Sequence, residues 1–109
     1  MTRAVITVNG DGEYLGFHVY GHTGYAEEGE DIVCAGVSAI VINTVNCLED
    51  LVHEPVTCSY EEESGDITCS FDSPPSDKAS FLIDTMIHGL EWIRGTYGED
   101  YLSYEIKEV

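Results

Sequence analysis

Basic residues are scarce in this sequence. Its 109 residues contain four Lys and Arg against 21 Asp and Glu, a formal net charge of −17 at pH 7. Nucleic acids and anionic membrane surfaces are held mainly by Lys and Arg, so neither is expected as a direct partner. A basic protein or peptide fits this charge better. The equally open interpretation is that the acidic residues only keep a small protein soluble.

Metal-ligand spacing and targeting signals are also lacking. The four cysteines form no CxxC pair and no His-x-x-His accompanies them, so we expect no zinc site and no other cofactor. The first residues show no secretory signal pattern, and no apolar run reaches the roughly 18 residues of a membrane span. We therefore expect a cytoplasmic protein with free thiols, in which Cys47, Cys58 and Cys69 serve as small buried apolar side chains.

The apolar patterns predict one α+β domain over residues 1–109. Two alternating stretches flank an Asn-Gly-Asp-Gly turn and two more flank an acidic turn, which is typical of two hairpins. The order ββαββαβ implies a two-layer sandwich, with two helices packed on one face of one sheet. The predicted strands are Arg3–Val8, Tyr14–Tyr20, Val56–Tyr60, Asp66–Phe71 and Tyr101–Lys107. The predicted helices run from Ile32 to about Val52 and from the Ser73–Asp77 start signal to about Gly95.

Residues 21–38, GHTGYAEEGEDIVCAGVS, carry the candidate chemistry. Asp31 is predicted at or near the N-cap of the first helix, which would place Cys34 in the first helical turn. Unpaired backbone N–H groups and the helix macrodipole favour a thiolate there, and the same N–H groups could form an oxyanion hole. His22 directly follows the second predicted strand and is the candidate general base, provided it reaches the thiol.

Two further side chains have alternative interpretations. Asp31 could orient the imidazole of His22, as the third member of a catalytic triad does, or it could simply cap the helix. Ser38 lies one helical turn after Cys34, on the same face. Its hydroxyl could bind substrate, water or the base, or could bond back to the preceding turn.

The segment from Gly21 to Glu30 is predicted to be a mobile loop. Its glycines allow unusual backbone angles, so the loop could move when substrate arrives. An ordinary solvated loop is the alternative. The candidate substrate-loop residues are Gly21, Gly24, Tyr25 and Gly29.

The same motif closely resembles the signature of the ribosomal-processing cysteine proteases called Prp, found in Firmicutes and related bacteria. The resemblance extends over nearly the whole chain and is most specific across residues 21–38, although Thr23 and Gly36 stand where the family usually carries alanine. It implies that Cys34 is the nucleophile and His22 the general base. Asp31 and Ser38 match further family positions with supporting roles.

The resemblance also implies a substrate and an assembly. Prp proteases remove a short N-terminal extension from large-subunit ribosomal protein twenty-seven, cutting after an aromatic-rich segment, and they are typically homodimers. A basic ribosomal protein would suit the acidic composition.

Two other functions stay open at this point. One is a non-catalytic acidic module that binds a ribosomal protein or an assembly factor. The other is a thiol redox sensor using Cys34. For that role Cys47 is a poor partner, because thirteen residues of helix separate the two by roughly 20 Å.

Overall fold

The computed structural model describes residues 1–21 and 28–109, with side chains in the first helix described from Ile32 onward. The elements follow the order ββαββαβ, which confirms the predicted fold class. The strands are β1 (Thr2–Val8), β2 (Tyr14–Tyr20), β3 (Val56–Tyr60), β4 (Ile67–Phe71) and β5 (Leu102–Glu108). The helices are α1 (Glu28–Cys47), which continues as a π-helical turn over Leu48–Val52, and α2 (Asp77–Tyr97).

The five strands form one mixed sheet in the order β3-β4-β2-β1-β5. All neighbouring pairs are antiparallel except β1 and β5, which are parallel. The β1–β2 turn is closed by Asn9, whose side-chain oxygen accepts from the backbone N–H groups of Asp11 and Glu13. Asparagine favours such turns because its side chain can bond to backbone two residues on.

One face of the sheet carries the core. Strand side chains alternate between the two faces, so every second residue of β1, β2 and β4 points toward the helices. The buried apolar residues of these strands are Ala4, Ile6, Phe17, Val19, Ile67 and Cys69. They meet one side of α1 and one side of α2, through Val33, Val37, Val41, Leu48, Ala79, Ile83, Met86, Leu90 and Ile93.

The start of α1 differs from the prediction. The helix begins at Glu28, four residues before the predicted start at Ile32, so residues 28–31 belong to the helix. Acidic residues are favourable in a first helical turn because they complement the positive end of the helix dipole. Three of the four residues 28–31 are acidic, and the sequence there has no apolar period that would have indicated a helix.

The end of the first helical segment agrees with the prediction. The π-helical turn finishes at Val52, and His53 follows in the left-handed conformation, with φ of 57°. Its backbone N–H donates to the carbonyl of Leu48, as does that of Glu54 at 2.9 Å. Both N–H groups thus bond to the Leu48 carbonyl at the end of the helix, and Pro55 prevents further helix.

The start of α2 is fixed by Ser76, as the sequence indicated. Its hydroxyl accepts from the backbone N–H of Ala79 at 3.1 Å. The carboxylate of Glu54 in turn accepts from the Ser76 backbone N–H and from its hydroxyl, each at 2.8 Å. These bonds join the end of the first helical segment to the start of the second helix.

The prediction that no apolar stretch is long enough to span a membrane is wrong, judged by length and composition alone. Residues Ile32–Val52 form a 21-residue helical stretch with a mean hydropathy of 1.7, which is long and apolar enough. In this fold, however, one side of the stretch is buried against the sheet through Val37, Val41 and Leu48. We therefore interpret it as the core helix.

Candidate active site

Cys34 is anchored to the sheet by the first residue of β1. Its thiol is half-buried, and its Sγ lies 3.1 Å from the hydroxyl oxygen of Thr2. Thr2 is fully buried, with 0% of its surface exposed, and its backbone N–H donates to the carbonyl of Tyr101 at 3.0 Å. The position of the sulfur is therefore set jointly by α1 and by the edge where β1 begins.

Cys34 does not lie in the first turn of its helix, which corrects the prediction. It is the seventh residue of a helix that starts at Glu28, and the free N–H groups of a helix belong to its first four residues. The Cys34 N–H is therefore not one of the free N–H groups at the helix start, and the oxyanion hole stays a prediction. Asp31 lies inside the helix and is not its N-cap, so the simple capping interpretation is also wrong.

Ser38 follows Cys34 by one turn and is half-buried. Among the side chains described at 1–21 and 32–109, none bonds to its hydroxyl. Thr44 shows the alternative considered for Ser38, because its hydroxyl donates to the carbonyl of Ile40 in the preceding turn at 2.8 Å. The Ser38 hydroxyl is not used in this way.

Gly21 holds the end of β2 against the start of β1. Its φ is 94°, and a Cβ at this position would lie 2.4 Å from the carbonyl oxygen of Met1. Arg3 pairs with Tyr20 in the β1–β2 register, so the next residues along, Thr2 and Gly21, are also neighbours. The chain therefore enters residue 22 beside the strand that contacts Cys34.

The other predicted site residues fall largely outside the described part of the chain. His22, Gly24 and Tyr25 lie outside the described residues, so the distance from His22 to Cys34 stays a prediction. Gly29 and Asp31 belong to the first turn of α1 rather than to a loop.

Two apolar concavities flank α1. The first, which we call the β3 cavity, has a volume of about 320 Å³ and is lined by Ile42, Val45, Glu49, Cys58, Tyr60 and Ile67, among others. The second, the α1–α2 groove, has a volume of about 270 Å³ and is lined by Ile32, Gly36, Ile40, Trp92, Ile93 and Tyr97. On a helical projection at 100° per residue, Cys34 faces the side of the β3 cavity, and Ile32 and Gly36 face the opposite side.

Two of the remaining cysteines contact each other. Cys58 and Cys69 are directly opposite each other on β3 and β4, with their sulfurs 2.8 Å apart. Both are free thiols. Among the side chains described, those of residues 1–21 and 32–109, no group of three or more His, Cys, Asp or Glu is arranged to hold a metal ion.

The contact of Thr2 with Cys34 could not be found from the sequence. The two residues are 32 positions apart, and a single threonine at a strand start resembles any strand residue. The only usable signal is indirect: β1 and β2 pair as a hairpin, so residues before Arg3 lie beside those that follow Tyr20.

Known proteins are similar to this chain in sequence. The model of the family described as cysteine protease Prp matches residues 1–102. The ribosomal processing cysteine protease Prp of Staphylococcus aureus is 33% identical over 100 residues, covering 92% of this chain and 94% of that protein. The Prp protein of Bacillus subtilis is 35% identical over 104 residues, covering 92% and 93%.

Solved structures of the S. aureus protease have the same fold as this chain. The S. aureus Prp protease in complex with a substrate peptide matches with a TM-score of 0.90 and 30% identity, covering 98% of this chain and all of that chain. The same protease with a covalently linked product peptide matches with a TM-score of 0.82 and 29% identity, over the full length of both chains. With sequence, fold and length in agreement, the chain belongs to the Prp family of ribosomal processing cysteine proteases.

Proposed function

We propose that this protein is a cysteine endopeptidase that removes the short N-terminal extension of large-subunit ribosomal protein twenty-seven during cytoplasmic ribosome maturation. The observation that carries the proposal is the placement of Cys34. Its half-buried thiol is held 3.1 Å from Thr2, beside the strand that leads into His22. Structures of the S. aureus relative with a substrate peptide and with a covalently linked product peptide support peptide cleavage here.

The proposed mechanism is acyl transfer through a thioester. His22 takes the proton of the Cys34 thiol, and the thiolate attacks the scissile carbonyl carbon. The imidazolium of His22 then protonates the departing amine as the C–N bond breaks. Water, deprotonated by His22, attacks the thioester and releases the new carboxyl end and the free thiol.

Supporting roles are assigned to Asp31 and Ser38. The Ser38 hydroxyl lies one turn from Cys34 and bonds to no other described side chain, so it is free to bind substrate or water. Asp31, three residues before Cys34, is proposed to orient the imidazole of His22. The segment containing Gly24 and Tyr25 is proposed to contact the substrate.

The β3 cavity suits the aromatic side chains of such an extension. It lies on the same side of α1 as Cys34, and Ile42 is eight residues further along the helix, about 12 Å away. An extended peptide spans that distance with about four residues. Tyr60, which is 57% exposed, offers an aromatic surface, and Glu49 offers a negative charge to a basic peptide.

We further propose that the α1–α2 groove is the interface of a homodimer. Trp92 is 63% exposed and Ile32 52% exposed, although both are large apolar side chains around one groove. Aromatic residues are enriched at the centres of protein interfaces. The groove faces away from Cys34, so a second copy can cover it without blocking the thiol.

Sedimentation tests this assembly. We expect a dimer for the wild type and a monomer for Trp92→Lys, because a buried charge would oppose association. Leu51→Lys is the matched control, since Leu51 is 75% exposed and lies outside the groove. A monomeric wild type at micromolar concentration, or a dimeric Trp92→Lys, would contradict this interface.

The cleavage activity is tested with a peptide that carries the extension and its junction, followed by mass spectrometry. We expect the wild type to cut at the junction. Cys34→Ala and His22→Ala should cut at least about a thousandfold more slowly, because the nucleophile and the base act together and the loss of either removes most of the rate enhancement. Cys47→Ala, on the same helix, should stay within about twofold of the wild type. The proposal fails if the folded wild type leaves the junction intact, or if Cys34→Ala cuts equally well.

A further inference from the structure

A buried hydroxyl lies against the sulfur of Cys34. Thr2 has 0% of its surface exposed, and a buried hydroxyl without a hydrogen-bond partner is costly. Its backbone N–H is already used in the bond to Tyr101. Its side-chain oxygen lies 3.1 Å from the Cys34 sulfur. Among the side chains described, this thiol is the partner that satisfies the Thr2 hydroxyl.

The location of Thr2 in a strand makes this contact different from an ordinary threonine bond. Thr44, the other buried threonine of the core, lies in α1 and donates to the carbonyl of Ile40 four residues earlier. A strand offers no such carbonyl, because each residue advances the chain by about 3.3 Å and the carbonyl four residues away is out of reach. The Thr2 hydroxyl is therefore directed at the thiol by the sheet.

The contact changes character when the thiol loses its proton. Between a thiol and a hydroxyl either group can donate, whereas a thiolate only accepts. The Thr2 hydroxyl must then donate to the sulfur, and a hydrogen bond to a charged acceptor is stronger than one between neutral groups. The contact thus favours the reactive form of the sulfur and fixes its rotamer.

From this geometry we propose that Thr2 is a positioning residue of the active site, which donates a hydrogen bond to the Cys34 thiolate and holds it beside the end of β2. The inference rests on the proposed role of Cys34 as the nucleophile. Gly21 packs against the Met1 carbonyl and directly precedes His22. The start of β1 therefore contacts both the nucleophile and the strand end that carries the base.

The variants Thr2→Val and Thr2→Ser separate hydrogen bonding from packing. Valine keeps the shape of threonine and loses the hydroxyl, whereas serine keeps the hydroxyl. Thr44→Val is the matched control, because it removes a buried hydroxyl that does not contact the thiol. Thermal unfolding establishes that each variant is folded, and intact mass verifies the same N-terminus in all. If Thr2→Val does not fold, Thr2→Ala is measured in its place.

The first readout is the rate at which iodoacetamide alkylates Cys34 as a function of pH, with the labelled residue mapped by mass spectrometry. For Thr2→Val we expect alkylation at neutral pH to be about threefold to tenfold slower, the size expected for one lost hydrogen bond. Thr2→Ser and Thr44→Val should follow the wild-type profile. Coincident profiles for wild type and Thr2→Val, or a failure of Thr2→Ser to restore the profile, would overturn the proposal.

The second readout is cleavage of the junction peptide. Thr2→Val should lower kcat by about threefold to tenfold with KM unchanged, because the bond acts on the nucleophile rather than on substrate binding. A change in KM alone would overturn the proposal. The two readouts also separate the hypotheses. A wild type that alkylates normally but never cleaves refutes the proposed function, whereas a cleaving enzyme whose profile ignores Thr2 refutes only the role of Thr2.

Discussion

Of the four thiols, Cys58 and Cys69 are the pair whose surroundings most strongly suppress reaction. Burial raises the pKa of the Cys58 thiol, and nearby Glu49 and Asp72 add to that effect. Burial, together with the hydrogen bond to Cys58, raises the pKa of the Cys69 thiol well above its ordinary range. The reactive form of a cysteine is its thiolate, so both should be poor nucleophiles at neutral pH.

Alkylation of the native protein tests this ranking. At pH 7.5 we expect iodoacetamide to leave Cys58 and Cys69 unlabelled on a timescale over which the urea-unfolded protein is labelled at all four cysteines. Peptide mapping by mass spectrometry gives the extent at each position. Labelling of native Cys69 at the rate of the unfolded chain would show that the pair is not protected as described.

Sequence patterns identify the local residues of the site but not its contacts between distant parts of the chain. His22 and Cys34 can be selected from a motif because residue type and spacing are local. The partnership of Cys34 with Thr2 depends on strand register and on where α1 crosses the sheet, and no local pattern reports either. The same limit applies to Gly21, whose close approach to the Met1 carbonyl follows from the pairing of β1 with β2.

At the scale of elements, the helices and strands were predictable because each carries a pattern of its own. β2 and β3 have the predicted bounds, Tyr14–Tyr20 and Val56–Tyr60. The start of α1 was missed because residues 28–31 have no apolar period and include Gly29, a poor helix former, although acidic residues at a helix start complement its dipole. The π-helical turn at Leu48–Val52 was also missed, since its hydrogen-bond pattern has no sequence signature.

Glycines within the helices offer a test of the packing between α1 and α2. A Cβ at Gly36 would lie 3.4 Å from the end of the Ile93 side chain, and one at Gly95 would meet nothing within 4 Å. Alanine is favoured over glycine in a helix by about 0.5 to 1 kcal/mol. We therefore expect Gly36→Ala and Gly95→Ala each to raise the free energy of unfolding by about that amount in urea titrations. A destabilised Gly36→Ala beside a stabilised Gly95→Ala would show that the helices pack too closely for the added methyl group.

A hydrogen bond between β2 and α2 predicts an alkaline limit to stability. The Tyr14 hydroxyl donates to the carboxylate of Asp84. Burial, then this bond and the negative charge of Asp84, raise the pKa of Tyr14 from 10 to about 12. The folded state therefore keeps a proton that the unfolded state releases. The contribution is complete below pH 10 and is lost as the pH rises toward 12.

The measurement is the difference in unfolding free energy between wild type and Tyr14→Phe from pH 8 to pH 12. We expect the wild type to be more stable at pH 8 and the difference to shrink above pH 10. Tyr60→Phe is the matched control, because it removes an exposed tyrosine hydroxyl and should change the stability at pH 8 little. A difference for Tyr14→Phe that does not depend on pH would contradict the role of this bond.

At the scale of the whole molecule, the net charge of −17 acts in opposite directions on stability and on substrate capture. Repulsion among the acidic side chains destabilises the folded protein. The same side chains attract a basic peptide and raise its rate of association. Salt screens both effects, with a Debye length of about 30 Å at 0.01 M and 10 Å at 0.1 M. The two consequences can therefore be separated in one salt titration.

Between about 10 and 100 mM NaCl we expect the melting temperature to rise and kcat/KM for the junction peptide to fall by about threefold or more. A control peptide, with its Lys and Arg residues outside the cleavage site replaced by Gln, should lose most of that salt dependence. If kcat/KM for the basic peptide does not change with salt, the acidic surface serves solubility alone.

The proposed function depends most on Cys34 being the group that forms a covalent bond with the substrate. The direct measurement is to treat the enzyme with a chloromethyl ketone built on the extension sequence and to locate the label by mass spectrometry. We predict one equivalent of label on Cys34, loss of cleavage in step with labelling, and protection by the junction peptide. Labelling at Cys47, Cys58 or Cys69 instead, or an enzyme that stays fully active with Cys34 labelled, would contradict it.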